Sequence, residues 1–523
     1  MSKDLPPRPD LQWKLLEEKV ARAAREHPEK YQLLLENPSP DPAYASQVAR
    51  VKRFLECYTA DRTFRGAMDT PEQAAQLEAY QIDIDPEEIR FLWDHDFHME
   101  KRHSKDWCAP LSVQRYRLWI TEKILHRERL RVADINPTDE RHARWRQRQM
   151  NRMLGHLGRG AYERIINAPF SIELSDGCSV GCWFCGVSAE KRKEDWPCTP
   201  ENQAMWREMM DQLHELMGPT AQFGFCYWAT DPLDNPDYEA FMRDYADRLG
   251  GWPQTTTAQA HKHVERVRKL LVESRQRGCL INRFSVLSLG IFKKLLQAFT
   301  AEELLYTELI TQNMEATSMQ SNSGRARGSE RLKVKASQTE AAGEDWEEKP
   351  GTIACVSGFL INMPRKTVKL ITPVPCNDRW PNGYWVFEEG TFQDAASFRA
   401  LMDGMMERHM PMSARLQRPA CFRRDLKFTE TSDGFELHSF GLTKTWFGGE
   451  ITTTMGRLIA AGDRTVQEVA LETEKSTGQP LEKTMNFLNQ LFDEGLLDEE
   501  PARSPWQPAA AETGSPALAA SNL

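Results

Sequence analysis

Apolar positions recur with a helical period through the first third of the chain. Residues 46–58 place Val48, Val51, Phe54, Leu55 and Tyr58 on one stripe, and residues 112–130 do the same with Val113, Tyr116, Trp119, Ile120 and Ile124. Asp85-Pro86-Glu87-Glu88 reads as an N-cap followed by proline at the first helical position. A further helix is predicted over 139–157, carrying Arg141, Arg144, Arg146, Arg148 and Arg152. Such a run is either a solvated face or a dock for an acidic peptide. His95, His98 and His103 lack an H-E-x-x-H spacing and read as part of a polar segment.

From about residue 168 the pattern changes to short β-rich runs separated by amphipathic helices. Candidate strands are 170–174, 221–229, 254–258, 280–287, 304–310, 353–360 and 368–372. That succession predicts a parallel α/β arrangement, with functional loops after the C-terminal strand ends. In the fourth strand, alternation puts Phe284 and Val286 on one face and Arg283 and Ser285 on the other. Residues 316–351 are polar and read as a mobile loop or lid.

Toward the C-terminus, strands 426–430 and 435–440 flank the hairpin signal Asp433-Gly434, and 442–447 adds a third strand. Helices follow over 453–461, 465–476 and 481–494, the second opened by the capping box Thr465 to Glu468 and the third stopped by Gly495. Residues 502–523 are rich in Ala, Ser and Pro and read as a disordered tail. The expected division is a helical region (1–165), an α/β core (166–423), a strand-and-helix unit (424–500) and the tail (501–523).

The chain has 523 residues, 40% hydrophobic and 27% charged, with no apolar run of about 20 residues and no secretory h-region near its start. A cytoplasmic protein with no membrane partner is expected. A formal net charge of −9 argues against general nucleic-acid binding. Eleven cysteines in a reducing compartment point to metal or thiol chemistry rather than disulfides.

Eight of these cysteines are isolated. The other three, Cys178, Cys182 and Cys185, form C-x3-C-x2-C in the glycine-punctuated stretch Ser175-Asp-Gly-Cys-Ser-Val-Gly-Cys-Trp-Phe-Cys-Gly186. Three clustered thiolates can hold three irons of a cubane and leave the fourth iron open. A zinc site completed by a distant residue, or three buried cysteines without a metal, are the alternatives.

This spacing, with Phe184 before the last cysteine, resembles the signature of the radical S-adenosyl-L-methionine (SAM) superfamily. The resemblance implies a partial (β/α)6 barrel, one [4Fe-4S] cluster on Cys178, Cys182 and Cys185, SAM on the open iron, and Phe184 near the adenine. The stretch Tyr227-Trp-Ala-Thr-Asp-Pro-Leu-Asp-Asn-Pro236 stands where the superfamily has a Gly-Gly-Glu-Pro-like sequence. Thr230 and Asp231 would then receive the SAM ammonium, the alternative being a turn opened by aspartate. Arg283 would pair with the SAM carboxylate and Ser285 would contact carboxylate or ribose; an ion pair within the protein is the other reading for Arg283.

Residues 48–93 loosely resemble the helical leader-like Nif11 family, and 424–500 resembles the winged-helix module that recognises leader peptides. A DNA-binding winged helix competes, against the unit's acidic balance. Together with Arg283-Phe-Ser-Val-Leu-Ser288, Ala354-Cys-Val-Ser-Gly-Phe359 and the stretch around Arg379-Trp-Pro-Asn-Gly-Tyr-Trp385, the chain resembles radical SAM peptide epimerases of the polytheonamide type. That resemblance implies conversion of L to D residues in a ribosomal precursor peptide with a leader. A 5′-deoxyadenosyl radical would abstract the Cα hydrogen, a cysteine thiol would return one, and a cellular flavodoxin- or ferredoxin-type donor would supply electrons. Cys376 is the leading hydrogen donor, followed by Cys355 and Cys226. Two other functions stay open: a cross-linking maturase, although Cys421 stands alone where such enzymes carry further cysteine clusters, and a non-catalytic, metal-stabilised winged-helix regulator.

Overall fold

The computed structural model describes residues 9–104, 106–132, 136–318, 320–341 and 351–501. The tail expected over 502–523 lies outside them, as does part of the expected lid. Helices Pro9–Glu26, Pro42–Ala60, Leu111–Val132 and Glu140–Tyr162 dominate the first 165 residues. Pro42–Ala60 starts where Asp41 accepts from the Tyr44 N–H at 2.8 Å, and it buries Val48, Val51, Phe54 and Cys57. No helix begins at Asp85. Its carboxylate instead accepts from the Glu87 N–H at 3.0 Å, while the Pro86 carbonyl takes the Trp93 indole N–H, so the stretch closes as a turn and helix resumes at Arg90–Trp93.

The arginine-rich helix Glu140–Tyr162 corrects the solvated-face expectation. Arg146, Arg148 and Arg152 are buried. Arg146 donates to the Asn167 carbonyl at 2.9 Å, Arg148 pairs with Glu499 at 3.2 Å and stacks over Phe492, and Arg152 stacks over Trp385. Each guanidinium finds carbonyls, a carboxylate or a π-face, which lets the charge leave water.

The strands are β1 (Ala168–Glu173), β2 (Ser175–Asp176), β3 (Glu194–Asp195), β4 (Thr256–Thr257), β5 (Asn282–Val286), β6 (Thr307–Thr311), β7 (Val356–Asn362), β8 (Thr367–Pro373), β9 (Tyr384–Thr391), β10 (Lys427–Thr431), β11 (Gly434–His438) and β12 (Thr443–Phe447). They form a mixed α/β protein of open sheets. One sheet runs β1-β7-β8-β9 and another runs β4-β5-β6. β1 lies parallel to β7, with Ala168 opposite Val356 and Glu173 opposite Asn362; β7, β8 and β9 are antiparallel neighbours. β4, β5 and β6 are parallel.

The six βα repeats of the expected barrel are not completed. The second strand, expected over 221–229, is replaced by the 3-10 turn Gly218–Phe223 and one parallel bridge, Ser171 to Phe225. Gly224 explains the close approach, since a Cβ there would come within 2.2 Å of the Phe170 ring. At the other end, β7 turns directly into β8 through residues 363–366, too few for a crossover helix, so the pair is antiparallel. Within the segment expected as a lid, Glu330–Ala341 is helical. Lys335 anchors it by donating to the carbonyls of Asn313, 2.9 Å, and Ser318, 2.6 Å.

β10, β11 and β12 form an antiparallel sheet in that order, joined to helices Glu450–Ala461, Val466–Thr477 and Leu481–Asp493. The capping box is present, with Glu468 N–H donating to Thr465 Oγ1 at 3.2 Å and Thr465 N–H to Glu468 Oε2 at 2.8 Å. Phe435, Leu437, Met455, Val469, Leu488 and Leu491 make a core of their own. Among the described residues no helix is long and apolar enough to cross a membrane.

Candidate functional site

The three clustered cysteines occupy the loop that follows β1. Its stem is the two-residue pairing of β2 with β3, and Cys178 continues it by donating its N–H to the Glu190 carbonyl at 2.9 Å. Gly177 takes φ +80° at the bend, where a Cβ would meet the Lys191 carbonyl at 2.6 Å. Side chains from elsewhere hold the loop, Asp234, Arg325 and Arg365 among them, the last pairing with Asp176 at 2.7 Å and Glu190 at 3.0 Å. Asp234 accepts from Ser179 N–H at 2.9 Å and from its hydroxyl at 2.5 Å. Arg325 donates to the Cys182 carbonyl at 2.7 Å and also reaches the Ala189 carbonyl, while its own N–H donates to the Cys185 carbonyl at 2.9 Å.

All three cysteines are half-buried free thiols. Burial pushes the Cys178 thiol up to about 12 and the Cys182 thiol up to about 11, the neighbouring Cys185 adding to the second. A bound metal would displace those protons. Among the described residues no three side chains converge to hold a single metal ion. The donor set, three thiols on one loop, suits a cluster in which each iron takes one protein ligand. Phe184 lies half-buried on the same loop, its ring edge-on to Trp183 at 5.4 Å.

Asp231 and Thr230 are both buried beside this loop. Asp231 opens the short 3-10 turn Pro232–Asp234, accepting from Leu233 N–H at 3.0 Å, and ties it to the end of β4 by accepting from Thr257 Oγ1 at 2.8 Å and Ala258 N–H at 2.7 Å. Burial raises its carboxyl to about 6 even with these donors holding it down. Asp231 thus opens a turn, and both of its oxygens accept hydrogen bonds within the protein. Asp234, not singled out from the sequence, is the carboxylate in contact with the cysteine loop.

On β5 the expected alternation holds: Phe284 and Val286 are buried, and Arg283 and Ser285 are half-buried on the other face. Arg283 donates to Glu308 at 3.0 Å, and Lys123 reaches the same carboxylate at 3.2 Å. Although burial pushes the Glu308 carboxyl up, the two cations hold it down at about 2. Arg283 thus makes an ion pair within the protein.

Arg283 also lines a cavity of about 1000 Å3 with Tyr227, Gln254, Asn322, Cys355 and the turn between β11 and β12. Residues 164–166, 254 and 351–355 precede β1, β4 and β7, so this cavity opens at the N-terminal ends of the parallel strands. The cysteine loop leaves the opposite end of β1. Residues 320–325 connect the two regions: Asn322 lines the cavity, while Gly324 and Arg325 press on Cys185 and Gly186. The Cys376 thiol is buried behind that segment and donates to the Asn322 carbonyl at 2.5 Å. Cys355 is on the cavity wall itself. Cys226 instead joins the main core with Tyr238 and Tyr245, away from Phe225 and Tyr227.

Several framing residues carry little sequence signal. Asn235 donates to the Leu174 and Trp196 carbonyls, and Glu173 accepts from Ala229 N–H and Asn362. The Asx-rich run Asp231 to Asn235 was the available cue for Asp234 and Asn235. Nothing local marks Arg325.

No family model matches the chain. A solved structure described as BtrN in complex with AdoMet and 2-DOIA aligns with 27% of this chain and 56% of its own length, at 21% identity and a TM-score of 0.20. The uncharacterized protein y4wI of Sinorhizobium fredii is 36% identical over 472 residues, spanning 89% of this chain and 90% of that protein. An identity of that level over nearly both full lengths places this chain in the same protein family as y4wI.

Proposed function

We propose that the chain is a radical SAM enzyme that epimerises residues of a ribosomally made peptide from L to D. The observation that carries this is the C-x3-C-x2-C loop after β1, three free thiols without a fourth ligand at local spacing, braced by Asp234 and Arg325. Cys178, Cys182 and Cys185 would hold the cluster, with Phe184 and Thr230 beside it for SAM. Ser285 is on the same face of β5 as Arg283 but nearer the C-terminal strand end. When bound, a reduced cluster and SAM supply a radical that removes hydrogen from a peptide Cα.

The chain's own contribution is a thiol on the other face of that carbon. Its S–H bond breaks as a new Cα–H bond forms with inverted configuration. An electron from a flavodoxin- or ferredoxin-type donor and a proton from water then restore the thiol. Cys376 is the proposed donor. Cys355 is the second reading, favoured by its place on the cavity wall. The three-stranded sheet and three helices after residue 426 suit recognition of a leader.

Co-expression with a precursor peptide in deuterated water tests the function. A gain of one mass unit per inverted residue is expected. Loss of two hydrogens would mean cross-linking instead. Cys376→Ala and Cys355→Ala, assayed for SAM cleavage and for inversion separately, decide which thiol returns the hydrogen.

A further inference from the structure

We infer that the cavity at the N-terminal strand ends takes an acidic stretch of a peptide, gripped between the β11–β12 turn and the wall of the α/β core; this rests on the peptide-processing reading above and names its substrate chemistry. Arg159, Arg164 and Arg283 line the cavity, and no aspartate or glutamate does among the described residues. In a chain of net charge −9 that is a local reversal of sign. The charge of Arg283 is offset by Glu308 behind it, whereas Arg159 and Arg164 are exposed at the rim. Arg159 has Glu163 at 3.6 Å, a weak exposed pair, and Arg164 donates to the Gly160 carbonyl at 2.8 Å. Both can turn to an incoming carboxylate at little cost.

The gap is a built feature. The facing turn is pinned to the helix Glu140–Tyr162 at a glycine notch: Ser439 Oγ and Gly441 N–H both donate to the Gly155 carbonyl, at 3.1 and 3.2 Å. The Phe440 ring covers Gly158, where a Cβ would come within 2.8 Å of it. At about 1000 Å3 the space is at the upper end of the roughly 300–1,000 Å3 usual for small-molecule pockets, which suits several peptide residues. Gln254, Gln320, Asn322, Thr352 and Thr443 put amides and hydroxyls on the wall, several of them bonded within the protein and able to keep one further donor or acceptor for a peptide backbone. Two rim arginines on an acidic protein serve a few carboxylates; a nucleic acid needs a continuous basic footprint. A peptide seated here also passes Cys355.

The test is fluorescence anisotropy on the full chain with a fluorescein-labelled peptide of alternating glutamate and alanine, beside the same peptide with glutamine for glutamate. The glutamate peptide is expected to bind at least tenfold more tightly, with an advantage that shrinks as salt rises. R159E/R164E should abolish that advantage and R159K/R164K should keep most of it. Equal affinity for the two peptides, or an unchanged preference in R159E/R164E, overturns the assignment. So does displacement by a single-stranded oligonucleotide of equal charge at lower concentration than by unlabelled glutamate peptide. Should R159E/R164E melt earlier than the parent, R164Q alone replaces it. The binding needs neither cluster nor SAM, so SAM cleavage measured in parallel separates the outcomes: selective binding without cleavage sinks the enzyme reading alone, and cleavage without selective binding sinks this one alone.

Discussion

His156 Nε2 lies 2.7 Å from Asp425 Oδ1, joining the arginine-rich helix to the first residues of the C-terminal strand-and-helix unit. The contact extends in both directions. Arg423 clasps Asp425 with two bonds, of 3.0 and 2.9 Å, and His156 Nδ1 meets Arg152, which donates to the Pro373 carbonyl at 2.7 Å. Burial lowers His156 to about 4, and burial likewise lowers His142 on the same helix to about 4.

Those two histidines make the fold acid-sensitive. Unfolded, each titrates near 6.5, so between pH 6.5 and 4 the unfolded chain binds more protons than the native one and stability falls as pH falls. A loss on the order of a few kcal/mol is expected over that window. Urea denaturation at pH 7 and at pH 4.5 measures it, and His142→Gln should flatten the difference. Equal midpoints at the two pH values would refute the effect.

Arg152 is a buried cation bonded within the protein to Gln149, His156, Thr372 and Pro373, with Trp385 beneath it at 4.1 Å. Arg152→Ala leaves a carbonyl without its donor and a void over the ring, at a cost of about 3 kcal/mol or more. Chemical denaturation would show it as a lower midpoint. Arg144→Ala, on the exposed face of the same helix, should change stability by less than about 0.5 kcal/mol.

Gly324 presses on the cysteine loop at φ +55°, and a Cβ there would meet the Gly186 carbonyl at 2.4 Å. Gly324→Ala should push residues 320–327 away from Cys185 and reduce the iron and sulfide retained after anaerobic reconstitution, with the far-ultraviolet circular dichroism unchanged. Full iron content in that variant would show that the segment does not brace the loop.

Alanine at Cys178, Cys182 or Cys185 should each abolish the brown absorption and SAM cleavage of the reconstituted protein. Alanine at Cys376 or Cys355 should leave both intact. Loss of iron from Cys376→Ala would move that residue from hydrogen return to cluster support.

Periodicity and caps make helices and the three C-terminal strands legible from the sequence where those signals are local: the Val48 to Phe54 stripe and the Thr465 to Glu468 box act within a few residues. The cysteine spacing is local too. What the sequence conceals depends on distant partners. Burial of Arg146, Arg148 and Arg152 needs Asn167, Glu499 and Pro373, and the engagement of Asp231 needs Thr257 and Ala258. The stretch 221–229 is apolar enough for a strand, yet Gly224 and the Phe170 ring reduce it to a single bridge.

The pairing of β1 with β7 sets an order of events during synthesis. Ala168 finds Val356 only when the ribosome has made nearly two hundred further residues, so β1 and the loop behind it wait without that neighbour until the chain is two-thirds complete. The cysteines and the groups that brace their loop emerge first, and the strand that pairs with β1 arrives after them. Nascent chains stalled before β7 should therefore carry the thiols, their β2–β3 stem, Asp234 and Arg325, but a β1 that still lacks its parallel neighbour.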